Sequence, residues 1–211
     1  MSQIKAVISD FGGVLTSPLM DSFAAFQESS GVPLEALGKA IASLAMTHGV
    51  NPLFELETGR MSGAEFLGGL SRQLGDDLGR PVELHGFAQT YLEALHPNEP
   101  MIRYMRGLRE RRYRMAICTN NIREWERLWR AKLPVDEIFD VVVDSSVVGS
   151  RKPERRIYEI TLERLESPPE TTLFVDDVEV NCDAARELGM TAVWFRDTEQ
   201  AIAEMESVLD A

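Results

Sequence analysis

Three carboxylates, one hydroxyl and one lysine stand in this sequence where apolar runs come to an end. Asp10 closes Ala6-Val7-Ile8-Ser9 and is followed at once by Phe11-Gly12-Gly13-Val14. Thr119 closes Met115-Ala116-Ile117-Cys118 and leads into Asn120-Asn121, while Asp176 and Asp177 close Leu173-Phe174-Val175. A further run, Val141-Val142-Val143, ends in Asp144-Ser145-Ser146 and reaches Gly149-Ser150-Arg151-Lys152-Pro153. If Asp10, Asp176, Asp177 and Lys152 share one place, the local charge is about -2, and each like-charge contact raises a carboxyl pKa unless a cation intervenes. A divalent ion neutralises such a cluster. Ligation by carboxylates, a backbone carbonyl and water suits Mg²⁺, which keeps several waters and bridges to substrate phosphate. In that setting Asp10 is a nucleophile toward phosphorus, with Lys152 and the metal offsetting charge on the equatorial oxygens.

Each residue alone has an ordinary structural use. A strand-end aspartate is commonly a turn or capping residue, Thr119-Asn120 makes a helix N-cap, an Asp-Asp pair suits a helix N-terminus, and a lone lysine is usually solvated. Their common position at the ends of successive runs is what joins them, because ligands of an open parallel sheet bind beyond the carboxyl ends of its strands.

The elements that must position them follow from the same runs. Ile4 to Phe11, 115–119, 141–144, 173–177 and 192–195 are short, apolar and rich in β-branched residues, which reads as buried strands. From the second run onward, segments of helical periodicity separate them, so the pattern is βαβ and the expected fold is α/β, a Rossmann-like parallel sheet covered on both faces. Pro153 is read as the first position of a helix carrying Ile157, Tyr158, Ile160, Thr161 and Leu165, and Gly189 as the stop after Ala184, Ala185 and Leu188.

The first and second runs are separated by about a hundred residues, far beyond an ordinary crossover. That interval holds helical patterns and no convincing strand: Phe23 and Phe26, then Leu34, Leu37, Ile41 and Leu44, then Phe66, Leu67 and Leu70, then Phe87, Tyr91, Leu92 and Leu95. The expected organisation is a core of residues 1–16 and 97–211 with an all-helical cap inserted over 17–96. Within the insertion, Glu57-Thr58-Gly59-Arg60-Met61-Ser62 reads as a helix break followed by an N-cap at Ser62, with Glu65 three residues on, in preference to a substrate contact. Trp125, Leu128 and Trp129 have the spacing of one packed helix face, and Arg109 to Arg114 reads as a solvated helix end. His48, His85 and His96 are scattered without ligand spacing and are read as structural or surface residues.

Composition narrows the partner. Among 211 residues, 22 are Lys or Arg against 34 Asp or Glu, and the net charge of -12 opposes broad binding to nucleic acid or to an anionic membrane surface. A small molecule is expected instead. Cys118 and Cys182 are the only cysteines, without metal or disulfide spacing, and suit buried thiols in a reducing compartment. The sequence has neither a charged N-terminal region leading into a long apolar core nor a run of about 18 apolar residues. The expectation is a cytoplasmic protein, monomeric or homodimeric.

The ordered set Asp10-Phe11-Gly12-Gly13-Val14, Thr119-Asn120-Asn121, Gly149-Ser150-Arg151-Lys152-Pro153 and Asp176-Asp177 with Asn181 resembles the four motifs of the haloacid dehalogenase (HAD) superfamily. The likeness covers the whole chain, with the helical insertion similar to the family's cap. It is nearest to the subgroup holding the phosphatase domain of soluble epoxide hydrolase and the bacterial α-glucose-1-phosphate phosphatases. The resemblance implies that Asp10 becomes an aspartyl phosphate, that Thr119 binds a phosphoryl oxygen, and that Lys152 steadies both. It implies Asp177 as a direct Mg²⁺ ligand, Asp176 as a further ligand or one acting through water, and Asp10 and the Gly12 carbonyl completing the set. Asn181 supports the metal shell, while Phe11, Gly12, Asn120 and Asn121 border a small phosphorylated metabolite such as a sugar phosphate.

One position departs from the pattern. Family phosphatases carry a second aspartate where this chain has Gly12, as the acid and base of the reaction, and losing such a group commonly costs about 10²- to 10⁴-fold. Some sugar-phosphate phosphatases of the subgroup share the glycine. The alternative expectation is a catalytically impaired phosphate- or metabolite-binding module. Family dehalogenases place a tyrosine-containing motif here, which Phe11-Gly12 does not supply.

Overall fold

The computed structural model describes residues 3–84 and 86–209. In chain order the elements are β1 (Ala6–Ser9), α1 (Leu19–Ser30), α2 (Leu34–His48), α3 (Pro52–Glu57), α4 (Gly63–Leu78), α5 (Phe87–Glu93), α6 (Glu99–Glu110), β2 (Arg114–Thr119), α7 (Glu126–Arg130), α8 (Val135–Ile138), β3 (Val141–Asp144), α9 (Ser145–Val148), α10 (Arg155–Leu165), β4 (Thr172–Asp176), α11 (Glu179–Glu187), β5 (Thr191–Trp194) and α12 (Thr198–Leu209).

The five strands form one sheet in the order β3-β2-β1-β4-β5, with every pairing parallel. Alternation along the strands divides the core in two. Val7, Ile117, Leu173 and Val175 face Met101, Met105 and Leu108 of α6 and Met205 of α12. Ala6, Ile8, Ala116, Cys118 and Phe174 face Ile157 and Tyr158 of α10 and Cys182 and Ala185 of α11. Burial on both faces is why the runs are apolar throughout instead of alternating with polar residues. Both cysteines are buried and free.

The strand order also fixes where a ligand can enter. From β1 the chain steps outward through β2 and β3, then returns to place β4 and β5 on the other side of β1. The direction of winding reverses between β1 and β4, and the crevice beyond their carboxyl ends is the ligand position of a doubly wound sheet. Asp10 and Asp176 end those two strands.

Between β1 and β2, α1 to α5 form their own apolar cluster, which includes Phe26, Leu37, Leu56, Phe66, Leu70 and Leu74. The two segments that join this insertion to the sheet run side by side. Thr16 bridges Pro97, Ser17 N–H donates to the His96 carbonyl (2.7 Å), and Asn98 N–H donates to the Leu15 carbonyl (2.9 Å). Ser62 opens α4 with the expected capping box to Glu65. The six-residue α3 has no periodic apolar signature. It begins where the Asn51 side chain accepts from Leu53 N–H with Pro52 in the first turn.

Two local expectations change. Helix α10 begins at Arg155 with Glu154 as its N-cap, so Pro153 lies in the preceding turn. The reason is that Glu154 Oε2 accepts from Ser150 Oγ (2.7 Å) and Arg151 N–H (3.3 Å), while Asn120 holds the Lys152 peptide outside the helix. Leu128 is exposed while Trp129 is fully buried, because residues 123–125 are a 3₁₀ turn leading into the short α7 and one α-helical face is never established. The run Arg109 to Arg114 is, as expected, a largely exposed helix end: α6 stops at Glu110, and Arg109, Arg111 and Arg114 pair at the surface with Asp140, Glu206 and Glu166.

Candidate active site

The floor of the crevice is a buried charge cluster. Lys152 Nζ lies 2.7 Å from Asp10 Oδ1 and 2.6 Å from Asp176 Oδ2, and its side chain is 1% exposed. Asp10 is fixed by its backbone, which donates to the Val175 carbonyl of β4 (2.9 Å), and by Phe11 N–H, which donates to Asp10 Oδ1 (2.7 Å). Oδ1 therefore takes two donors, and Oδ2 has none among the described residues. Asp176 takes three: Lys152 on Oδ2, and Val178 N–H (2.8 Å) and the Asn181 side-chain amide (3.0 Å) on Oδ1. Asp177 is held through its carbonyl, which accepts from Trp194 Nε1–H (3.0 Å). Its carboxylate lies against Gly13. That glycine has φ of +79°, and a Cβ there would run into Asp177 Oδ2.

Carboxylate oxygens of Asp10, Asp176 and Asp177 come within 4.8 Å of one another. Burial pushes the Asp10 carboxyl up to about 8; Lys152 opposes this, and Asp176 and Asp177 add to it. Burial, reinforced by Asp176, lifts Asp177 to about 6. Burial acts to lower the pKa of the Lys152 ammonium, but the charges of Asp10 and Asp176 outweigh it and hold it above the usual lysine range. All three shifts run toward holding protons, which marks a cluster short of positive charge. An all-oxygen set with that deficit fits a hard divalent cation such as Mg²⁺.

Thr119 ends β2 beside Asp10, buried and lining the cavity. Asn120 lines it too, but its amide is spent on Lys152: Nδ2–H donates to the Lys152 carbonyl (3.0 Å) and Oδ1 accepts from Lys152 N–H (2.8 Å). Asn121 Oδ1 accepts from Ile122 N–H and its own N–H donates to Ser145 Oγ. Phe11 packs edge-on against Trp129 at 4.7 Å. Asn181 reaches the cluster through Asp176, while Tyr158 O–H donates to the Asn181 carbonyl. His48 and His96 are exposed, and His85 lies outside the described residues.

Above this floor is a chamber of about 390 Å³ between the sheet and the inserted helices. Several of its residues are not singled out by the sequence alone. Leu19 of α1 lies over Gly12, its Cδ2 2.9 Å from where a Cβ of residue 12 would stand, so hydrocarbon occupies the direction a second aspartate would take. Glu57 of α3 lines the chamber and its Oε2 accepts from Arg151 Nε–H at 2.6 Å. Burial raises the Glu57 carboxyl, against the pull of Arg151. The Arg151 guanidinium sits over the Phe54 ring at 3.9 Å, and Ser145 Oγ–H donates to the Glu57 carbonyl at 2.5 Å. Together these contacts fasten α3 to α9 and the turn that follows it.

The fold is thus a parallel α/β sheet with a buried Asp-Lys-Asp bridge at its switch point, roofed by inserted helices. The family model for haloacid dehalogenase-like hydrolases matches residues 4–189, and the chain belongs to that family of hydrolases. It is 29% identical to bifunctional epoxide hydrolase 2 of Sus scrofa, matching 97% of this chain and 39% of that protein, so it spans about two fifths of that relative's length. It is 26% identical to the sesquiterpene phosphatase astK of Aspergillus oryzae, covering 97% of this chain and 96% of the relative. Among solved structures, a HAD-family enzyme from Bacteroides thetaiotaomicron, determined with magnesium and inorganic phosphate, superposes with a TM-score of 0.67. That match covers 90% of this chain and 93% of the other at 22% identity, and establishes the shared fold. Among the described residues, no helix is long and apolar enough to cross a membrane.

Proposed function

We propose that the chain is a Mg²⁺-dependent phosphomonoester hydrolase that works through a phosphoaspartate on Asp10. The observation that carries this reading is Lys152 Nζ bridging Asp10 and Asp176 within hydrogen-bonding distance of both. Phosphatases among the relatives, and magnesium with phosphate in a structural neighbour, support it.

Lys152 and Phe11 N–H hold Asp10 Oδ1, which orients the carboxylate and leaves Oδ2 to attack phosphorus. The Oδ2–P bond forms as the ester P–O bond breaks and the departing alkoxide takes a proton from solvent water, and a second water then cleaves the acyl phosphate to regenerate Asp10 and release inorganic phosphate. Thr119 and Lys152 bind the phosphoryl oxygens. Asn120 positions Lys152 through its peptide, and Asn181 positions Asp176. Asp177, Asp10 and the Gly12 carbonyl would hold Mg²⁺, with Asp176, which has a carboxylate oxygen within 4.8 Å of those of Asp10 and Asp177, as a further ligand or one acting through water. The bound ion supplies electrostatic stabilisation of charge on the transferring phosphoryl group. Residues 17–96 act as a cap that excludes bulk water and selects the substrate, a small phosphorylated metabolite. The acidic surface and buried thiols fit a cytoplasmic monomer or homodimer with neither nucleic-acid nor membrane partners.

Leu19 over Gly12 favours a second reading, a phosphate-binding module with impaired turnover. The two separate in one experiment. Phosphate release from a panel of monoesters with Mg²⁺, lost by at least about 10³-fold in Asp10→Asn while the thermal unfolding profile is kept, supports the hydrolase. Tight phosphate binding without release from any ester, including acyl and aryl phosphates, supports the binding module.

A further inference from the structure

We propose that the alcohol half of the substrate is hydrophobic: the chamber takes the hydrocarbon of an aliphatic or aromatic phosphate monoester. This rests on the phosphoryl-transfer reading above and adds to it the identity of the leaving group.

Beyond the charge cluster the chamber is walled by Phe23, Ile41, Leu53, Phe66, Leu70 and Trp125, drawn from α1 to α4 and the 3₁₀ turn after β2. Its volume of about 390 Å³ lies in the range of small-molecule sites. Hydrocarbon begins at the reaction centre itself, because Leu19 covers Gly12. The first carbons beyond the bridging oxygen therefore meet an apolar wall.

Several polar groups near that wall are already engaged, while the Tyr91 and Thr119 hydroxyls line the chamber closer to the charge cluster. Asn120 is bound on both sides of its amide by the Lys152 peptide, and Asn121 Oδ1 accepts from Ile122 N–H. Glu57 and Arg151 are paired with each other. A sugar or polyol would set several hydroxyls against hydrocarbon, each one left without a partner losing its hydration uncompensated. An alkyl chain gains from the same wall, about fourfold in affinity for each methylene withdrawn from water.

The test compares n-alkyl monophosphates from butyl to decyl, kept below micelle formation, with glycerol 3-phosphate and glucose 6-phosphate in the presence of Mg²⁺. The expected result is that kcat/KM climbs about three- to fourfold per methylene until the chamber is full, leaving decyl phosphate far ahead of both polar esters. Phosphate release that is equal across the series, or faster from the polar esters, overturns the inference while leaving the hydrolase reading intact. If no ester is hydrolysed, the hydrolase reading fails and calorimetry decides the chamber. Decyl phosphate binding more tightly than inorganic phosphate, with a negative heat-capacity change, supports it, and equal affinity overturns it.

Leu53→Gln, at a half-buried wall position, gives a second reading. It is expected to lower the decyl-to-butyl ratio of kcat/KM at least about tenfold in a variant whose unfolding midpoint stays near that of the parent. An unchanged ratio in that folded variant overturns the inference.

Discussion

On the floor of the chamber, each carboxylate-donor contact spans 2.6 to 3.0 Å and comes from the segments that follow β1, β3 and β4. The roof is assembled from half-buried and buried Leu, Ile and Phe side chains on the inserted helices, tied down by the pair Arg151–Glu57. A buried charge loses heavily when one of its partners is displaced, which narrows the arrangements the floor accepts. Apolar packing accepts substitutions of similar volume. One region can thus hold the reaction constant while the other changes what is brought to it.

The largest effect is expected where the floor admits no atom at all. Gly13→Ala places a methyl group against Asp177 and forces a positive φ on a residue with a Cβ, a strain of about 1–2 kcal/mol before any clash. A shift of Asp177 by about 1 Å should cost at least about 10²-fold in kcat, with weaker Mg²⁺ binding in a titration. Unchanged activity would show the floor to be as forgiving as the roof.

Next is the charge deficit itself. Mg²⁺ at about 100 times its Kd should add about 2.7 kcal/mol to stability, raising the unfolding midpoint of a chain of this size by about 5–10 °C. Asp177→Asn should abolish most of that increase in calorimetry. A midpoint indifferent to Mg²⁺ would mean that Lys152 alone balances the carboxylates.

A smaller effect tests the boundary between the regions. The Leu19 atoms over Gly12 are the ends of a flexible side chain, so Gly12→Asp with Leu19→Ala should seat a carboxyl beside the leaving oxygen. Rates on alkyl esters, whose oxygens leave poorly, should rise at least about tenfold, a fraction of what a positioned acid supplies. Aryl esters should change little. If alkyl esters show no gain, proton supply is not what the glycine costs this enzyme.

The same boundary separates what the sequence reveals from what it hides. Asp10, Thr119, Asp176 and Asp177 are legible because each ends an apolar run, and in a parallel sheet all such ends lie along one edge. The cap helices are legible as helices from their periodicity, but not the faces they turn inward: Phe66 and Leu70 serve the helical cluster and the chamber at once. Glu57 and Arg151 meet across 94 positions of sequence, and α3, at six residues, is too short for a period to register. Gly13 is visible as part of a motif, but its reason is a carboxylate 164 positions away, close only in the folded chain.

The smallest expected effect concerns how the roof is held down. Arg151→Ala strips Glu57 of its partner and uncovers the Phe54 ring. Both charged side chains are about 15% exposed, so the loss should be about 1 kcal/mol, that of a hydrogen bond to a partly solvated charge. Because Arg151 fastens α3 without touching the charge cluster, the loss should fall on substrate capture: KM up about fivefold, kcat within about twofold. Arg151→Lys should recover only part of it, since an ammonium keeps the charge but not the planar stack on Phe54. A fall in kcat with KM unchanged would instead tie Arg151 to the floor, through its neighbour Lys152, and would move the line between the two regions by one residue.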